Sequence, residues 1–409
     1  MRKLKNWIES YIGYVAPASE SPLAYIYWSA ATALSTVLKR NVYVGRGTYR
    51  LHPNLFTVLV GRPGIGKGTA IKPAVSLMKE AKVANTLSGR ITIEYVLERL
   101  SVGWPTVLLP GTSHKVSNES NCMIYSTELS VFLSASQNTL PILCDLWDFD
   151  EGEFEYGTRH KGEFRIKNPC ISLLGGSTQE WLISSIPSSA VGGGFTRRVN
   201  FVVANDREKL LPWPVVQNHS AVRDALVQDL ISISQLKGEC QFAADVKPLF
   251  EKCYIESTPT EYDDEATTSY KTSLWAQVVK LAMVMSVSRG DDLIINKEDF
   301  RKSYDAIMTV AGNVPRVFRG VGESELVVVT DKILRFLEKK GYANKQEITK
   351  ALWRDVTHED LDKILATLLQ GSVIYEYQQG RNTMYAVKDY NTVKGSNPQS
   401  RKIKGVSTP

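Results

Sequence analysis

Fifteen residues, Leu55 to Thr69 (LFTVLVGRPGIGKGT), restrict this chain more than any other stretch. An apolar run rich in β-branched residues, Leu55 to Val60, enters a loop holding Gly61, Pro63, Gly64 and Gly66, and Lys67 follows where a helix can begin. Glycines let successive backbone N–H groups curl around a polyphosphate, a helix N-terminus adds partial positive charge, and a lysine there reaches the β- and γ-phosphates. A Cβ at such positions would block the backbone's approach. The candidate nucleotide-binding residues are therefore Gly61, Arg62, Pro63, Gly64, Ile65, Gly66, Lys67, Gly68 and Thr69, with ATP and Mg2+ as the expected ligands.

The bare glycine-lysine spacing would arise by chance in roughly one chain in ten of this length, so context decides. A strand-like run before it and helix-compatible residues Ala70 to Lys82 after it supply that context. One departure matters: Gly68 stands where the consensus has Ser or Thr, and the hydroxyl comes one residue later, at Thr69. Thr69 is then the metal-side hydroxyl. This GKGT ending resembles that of adenylate-kinase-like enzymes, so a small-nucleotide kinase is a competing expectation.

A chain of 409 residues with 43% hydrophobic content can bury a substantial core, and its length suggests two or three domains. The net charge of +6 permits a polyanionic partner without requiring one. Five scattered cysteines without C-x-x-C spacing support neither a disulfide framework nor a zinc site. A reducing cytoplasm, the host cell's if the chain is viral, fits this usage. Leu23 to Leu38 is apolar but interrupted by Ser and Thr; a buried helix is expected there, and no membrane partner.

In chain order, helices at Lys3 to Val15 and Ser21 to Arg40 and a strand at Asn41 to Val44 suggest a helical collar over 1–50, ahead of a nucleotide-binding core over 51–204. Thr92 to Leu100 reads as a helix capped by Thr92, and Thr106 to Leu109 as a short strand. Cys122 to Tyr125 is an apolar strand ending in Ser126-Thr127-Glu128. An acid at that end of a strand beside a phosphate loop can orient an attacking water, which makes Glu128 a catalytic and metal-side candidate. Behind a Ser/Thr cap it can equally be a first-turn helix acid. Thr127 replaces the usual Asp, so with Gly68 both common inner positions for magnesium are altered. The metal is then held largely through water and phosphates.

Glu153 to Tyr156 and Glu163 to Ile166 read as a hairpin whose tip carries Arg159, His160 and Lys161, with Arg165 and Lys167 behind. Concentrated positive charge on a projecting element suits phosphate contacts, although a solvated surface hairpin carries similar tips. The strand Cys170 to Leu174 runs into Gly175-Gly176-Ser177-Thr178-Gln179. Ser177 and Thr178 are candidates to sense a γ-phosphate, or to cap the helix Glu180 to Ile186. Arg197 and Arg198 follow a glycine run and precede the strand Val199 to Val203. They suit an arginine finger reaching a neighbouring subunit's γ-phosphate, or salt bridges closing the sheet edge.

The order of GRPGIGKGT, a strand ending in Glu128, a basic hairpin running into RIKNPCISLLGGSTQ, and then GGGFTRR resembles the AAA+ replicative helicases of phages and mobile elements, related in layout to the minichromosome-maintenance and superfamily 3 helicases. The resemblance covers roughly residues 20–310. It implies an α/β P-loop AAA+ core acting as a ring, with six copies expected, whose hairpins project into the central channel and grip single-stranded DNA. It also implies that Lys67 contacts phosphates and Glu128 polarises water. Ser177 or Thr178 would be the first sensor, Arg198 with adjacent Arg197 the finger, and Arg159, His160 and Lys161 the DNA-contacting tip.

Beyond Ala204 the apolar spacing turns helical over Ala221 to Leu236, Asp245 to Glu256, Glu261 to Val287 and Lys297 to Val310, a helical lid over 205–312. Lys271 and Lys280 could offer a second sensor charge, but solvated helix faces are the plainer expectation. Residues 313–326 read as a linker and 327–390 have the layout of a winged helix, with Asn344 and Thr357 as caps. Glu359, Asp360 and Asp362 on its third helix would repel phosphates, so Arg381 and Lys388 in the wing are better contacts for duplex DNA. Docking to replication proteins competes with that role. A basic, disordered tail is expected over 391–409. The function these readings favour is an ATP-driven DNA helicase or translocase; an initiator or loader without unwinding activity is the main alternative.

Overall fold

A strand that is apolar at every position belongs inside a parallel sheet covered on both faces. Phe56–Val60 is such a strand, buried throughout. In the computed structural model, described here for residues 2–105, 118–134, 136–158, 162–187, 190, 194–213, 220–258, 265–318, 325–353, 355–380 and 382–387, the chain is mixed α/β and divides into two units, Met1–Val321 and Gly322–Pro409.

The first unit opens with helices α1 (Trp7–Val15) and α2 (Leu23–Leu38), then the hairpin β1 (Val42–Arg46) and β2 (Tyr49–Leu51). Next come β3 (Phe56–Val60), α3 (Lys67–Ala81), β4 (Thr86–Ser88), α4 (Ile93–Val102) and β5 (Asn121–Ser126). Helix α5 (Thr139–Asp148) leads to the hairpin β6 (Glu153–Thr158) and β7 (Gly162–Lys167). The sheet is completed by β8 (Cys170–Ser177), followed by α6 (Gln179–Ser185), and by β9 (Val199–Val203). Helices α7 (Ser220–Ile233), α8 (Lys247–Glu256), α9 (Glu265–Arg289) and α10 (Lys297–Ala311) end the unit.

The central sheet has the order β9-β3-β8-β5-β4 and every pairing is parallel. Strand β8 is thus inserted between β3 and β5, with Ser177 opposite Val60 and Gly175 opposite Ser126. That register brings the carboxyl ends of three strands side by side.

The regions expected as collar, core and lid share one apolar core. Trp7 and Tyr11 of α1, Tyr25 and Leu34 of α2, Phe201 of β9 and Leu281 of α9 are all buried in it. The expected linker also begins inside it, where Phe318 meets Phe201 edge to face at 4.9 Å. Helix α9 is buried on most of its circumference from Tyr270 onward, so Lys280 is 2% exposed and not on a solvated face. All five cysteines are free and buried. Among the described residues no helix is long and apolar enough to cross a membrane. The expected strand Thr106 to Leu109 lies outside the described residues.

The second unit contains α11 (Glu325–Lys340), β10 (Ala343–Asn344), α12 (Lys345–Leu352), α13 (His358–Gln370), β11 (Ile374–Gln379) and β12 (Asn382–Val387). Its antiparallel sheet runs β10-β12-β11, and Ile333, Leu337, Ile348, Leu361 and Leu365 form its core. Asn344 caps α12 in a reciprocal box with Glu347, and Thr357 caps α13. Arg381, Lys388 and the tail lie outside the described residues.

Asp229 of α7 ties the chain's start to this core. Its carboxylate is fully buried and accepts the backbone N–H groups of Lys3 (2.7 Å) and Leu4 (3.0 Å). Truncation to Ala strands both donors. Asp229→Ala is expected to cost about 2 kcal/mol, read as a lower unfolding midpoint for the first unit with the second unit's transition unmoved.

Candidate functional site

The loop between β3 and α3 is shaped by what its glycines touch. Gly64 (φ +80°) and Gly66 (φ +99°) adopt the left-handed backbone that L side chains avoid. A Cβ on Gly61 would fall 2.6 Å from the Tyr25 hydroxyl and 2.8 Å from the Ala204 carbonyl. A Cβ on Gly66 would fall 2.7 Å from Ser21 Oγ. Ser21 and Tyr25, on the segment entering α2, hold the loop from behind: Ser21 Oγ donates to Gly66 O (2.8 Å) and Tyr25 OH to Val60 O (2.6 Å). The loop is thus a preformed cradle, and α3 begins at Lys67 directly after it.

The Lys67 ammonium donates to the loop's own carbonyls, Gly61 O and Arg62 O. Partial burial lowers its pKa, and the carboxylates of Glu128 and Glu180 oppose that shift. Glu128 is thus near enough to Lys67 for its charge to be felt there. Glu180, in the first turn of α6, is an acid the sequence reading passed over because a helix's first turn ordinarily attracts one.

Strand β8 passes between the two sides. Gly61 N donates to Ser177 O (3.2 Å) and Leu129 N to Gly176 O (2.8 Å). At Gly176 a Cβ would meet the Thr127 carbonyl at 2.6 Å and the Lys67 side chain at 3.3 Å. Ser177 is buried at the strand end, its hydroxyl turned to Thr178 O. Thr178 caps α6, accepting from Trp181 N at 3.3 Å, so of the two sensor candidates it is the one occupied by a helix.

The two departures at Gly68 and Thr127 fit each other. A Cβ on Gly68 would lie 3.1 Å from Thr127 Cγ2, so Thr127 occupies the space that a side chain after Lys67 would need. Thr69 is exposed, about 100° further round the helix. The hydroxyl-bearing residue beside position 68 is thus Thr127. Among the described residues no cluster of three His, Cys, Asp or Glu side chains could hold a metal ion.

Beside the loop lies a cavity of about 450 Å³, walled by Arg62–Ile65 on one side and by Asp206, Arg207, Lys209 and Leu210 on the other. Arg207 donates to Gly64 O (3.1 Å) and pairs with Glu20 (2.6 Å), and Arg62 pairs with Asp206 (2.9 Å). Nothing in the local pattern after Ala204 distinguishes these residues from a polar connection; their role comes from the parallel pairing of β9 with β3.

The arginine pair lies at the other pole, before the amino end of β9. Arg198 is buried: Nε donates to Asp148 Oδ2 at 3.0 Å, its terminal nitrogens bond Asp148 and Gly194 O, and its side chain is 7% exposed. It is fixed in its own chain. Arg197 is the freer of the two, 36% exposed and 3.9 Å from the same carboxylate. Asp148, at the end of α5, was not among the sequence candidates.

In the basic hairpin, Phe164 and Ile166 of β7 are buried and root it in the core. Arg165 is engaged by Glu163 (3.1 Å) and Glu155 (3.9 Å), and Lys167 stands opposite Glu153 in the register. The stem is therefore nearly neutral, and Arg165 is not a free phosphate contact. Arg159, His160 and Lys161 lie outside the described residues.

No protein-family model matches the sequence, and no curated protein matches it significantly.

The contact between Gly68 and Thr127 is testable as a pair. Gly68→Ala ordinarily gains about 1 kcal/mol inside a helix; here Thr127 Cγ2 should cancel most of it. In a Thr127→Ser background the gain should return, a coupling of about 0.5–1 kcal/mol in a double-mutant cycle of unfolding free energies. Additive effects would show that the two residues do not press on each other.

Proposed function

We propose that the chain is an ATP-hydrolysing DNA translocase of the AAA+ type, working on single-stranded DNA as a ring of copies. The observation that carries this reading is the polarity of the sheet. The glycine loop, Lys67, Ser177 and Glu128 gather at the carboxyl ends of β3, β8 and β5, where open parallel sheets bind ligands. The arginine pair stands at the amino end of β9, which runs parallel to β3 with Val199 opposite Phe56. Five residues of strand span roughly 16 Å, so the chain's own arginines are remote from a γ-phosphate on its own loop. A second copy docked head to tail supplies one, and repetition of that contact closes a ring.

In-line attack by water builds negative charge on the γ-phosphoryl oxygens. Lys67 and a neighbour's arginine stabilise that charge, while Glu128 positions the water. Because Arg198 is committed to Asp148, the reaching role passes to Arg197. Ser177, bonded through its carbonyl to Gly61, is the better placed sensor. A Cβ at Gly61 or Gly66 would collide with the wall behind the loop, so these glycines set its path; its reading as a polyphosphate cradle rests on the glycine-lysine spacing leading into a helix at Lys67. Thr69 and Glu128 are the protein oxygens that would hold an Mg2+ arriving with the nucleotide, which would neutralise phosphate charge there.

The hairpin tip at Arg159, His160 and Lys161 is assigned to the DNA backbone, and loss of the γ-phosphate loosens the seam and shifts the hairpin. Three helices with an antiparallel three-stranded sheet support the winged-helix reading of the second unit. The acids of its third helix, with Asp362 paired to Lys345 and His358, favour docking of a replication protein over duplex DNA. An initiator or loader that binds DNA without unwinding it is favoured by one observation: the Thr127 methyl fills the place of the missing hydroxyl beside Lys67.

Hydrolysis measured with and without a single-stranded oligonucleotide, beside strand displacement, separates these readings. The expected result is DNA-stimulated hydrolysis with displacement, both reduced at least about a hundredfold in Lys67→Ala. Joint Arg159→Ala and Lys161→Ala replacement should remove the stimulation. Hydrolysis without displacement identifies the loader, and stimulation that survives loss of the tip contradicts the role given to the hairpin.

A further inference from the structure

The pole of the sheet opposite the glycine loop contains a cavity of about 300 Å³. Its lining includes Arg50, His52, Trp147, Asp148, Arg197 and Lys280. Asp148 is the one carboxylate in that lining, and Arg198 and Arg197 already claim it. Positive charge therefore prevails on the walls.

Several polar atoms in the walls have no partner in the chain. Trp147 is 4% exposed, yet its Nε1 makes no hydrogen bond, and Arg197 Nε is likewise unpaired; His52, 5% exposed, has no partner beyond a poorly aligned contact with the Val42 backbone. Leaving such groups desolvated and unbonded is destabilising. Buried polar groups are normally satisfied, so a cluster of exceptions in one cavity invites an acceptor. Lys280 adds an ammonium, seated 3.9 Å from the Trp147 ring centroid and bonded to Asn54 Oδ1. Tyr49 and Trp275 also line it. Tyr49, Arg50, Asp148 and Thr272 are its exposed members.

We propose that this cavity binds a phosphate monoester, whose oxygens accept from Arg197, Trp147 and Lys280 while its organic group lies against the Tyr49 and Trp275 rings. A dianion with three terminal oxygens matches several converging donors better than a single acceptor does. The volume exceeds what inorganic phosphate fills and leaves room for an ester group. Burial holds the Lys280 pKa down to about 7, with Arg40 and Arg198 adding to that and Cys170 and Asp148 opposing it; an entering anion stabilises its charged form. Burial likewise keeps His52 neutral, its pKa down to about 3 with Arg40, Lys280 and Arg50 nearby and the Val42 backbone pulling the other way. The phosphate is supplied either by a free nucleoside monophosphate, whose organic group then lies against those rings, or by the terminal phosphoryl group of a nucleotide carried by a second copy of the chain, which brings phosphate oxygens alone. The site stands whether or not the chain hydrolyses ATP.

The test uses the full chain carrying Lys67→Ala, which weakens phosphate binding at the glycine loop, titrated calorimetrically with inorganic phosphate and with a nucleoside 5′-monophosphate. Both are expected to bind, the monophosphate more tightly. Arg197→Gln, a side chain exposed enough to spare the core, should weaken binding by about tenfold, the equivalent of one charge-assisted hydrogen bond, and Arg50→Gln, which removes a charge from the cavity's exposed edge, should weaken it by a smaller factor. His52→Gln, checked for an unchanged melting curve, should weaken it too. If neither probe binds alone but a response sensitive to Arg50→Gln develops when wild-type chain loaded with ATP is added, the second copy is the source. No binding under either condition, or binding indifferent to Arg50 and Arg197, overturns the proposal. Neither outcome depends on hydrolysis, so failure here and failure of the ATPase reading are separately visible.

Discussion

Everything at the glycine-loop pole depends on how closely β8 passes between its neighbours. Gly176 allows its backbone to approach both the Thr127 carbonyl and the Lys67 side chain, and Gly175 makes equivalent room for Leu129. With a larger residue at position 176 the ends of β5 and α3 would be pushed apart. The register that follows, Ser177 beside Val60 and Gly175 beside Ser126, brings a lysine, a hydroxyl and an acid together from three separate segments. The same parallel pairing fixes the arginine pair at the far pole, since β9 must start where β3 starts. One constraint thus determines both what the site contains and what it lacks within a single chain.

The second pole is held by a different kind of interaction. The buried Arg198 and Lys280 gather there with the half-exposed Asp148 and the Trp147 ring. Such clusters are costly to desolvate and are tolerated where the geometry is well satisfied. Here donors remain unsatisfied, which distinguishes this pole from the glycine-loop pole, where the loop's polar atoms are largely engaged by Ser21, Tyr25 and Arg207. The two poles therefore present one finished cradle and one cationic cavity with spare donors.

Local rules made much of this legible. The β3 strand, the glycine loop and α3 follow from a continuous apolar run meeting glycines, and the caps at Thr92, Asn344 and Thr357 follow from short polar side chains before helical spacing. The basic hairpin was placed within two residues at each end because alternation marks it plainly. Long-range facts were not legible. The merging of collar, core and lid into one unit depends on which apolar faces meet, and periodicity does not encode that. Helix α5 escaped notice because Pro141 stands near its start, although proline in a first turn forfeits no helical hydrogen bond; with it went Asp148. Lys280 sits in a helix apolar on nearly every side, a signal that was present, but its partner Asn54 lies 226 residues away. The strand β4, three residues long at the sheet edge, is too short to announce itself.

The central claim is that a nucleotide on one copy is completed by an arginine from another. Mixing Lys67→Ala chains with Arg197→Ala chains tests it most directly, with hydrolysis and native mass recorded in ATP and a single-stranded oligonucleotide. The account predicts a closed oligomer and hydrolysis above the sum of the two variants alone, because seams pairing an intact loop with an intact Arg197 form only in the mixture. A mixture that stays monomeric under those conditions, with activity no greater than that sum, would contradict it.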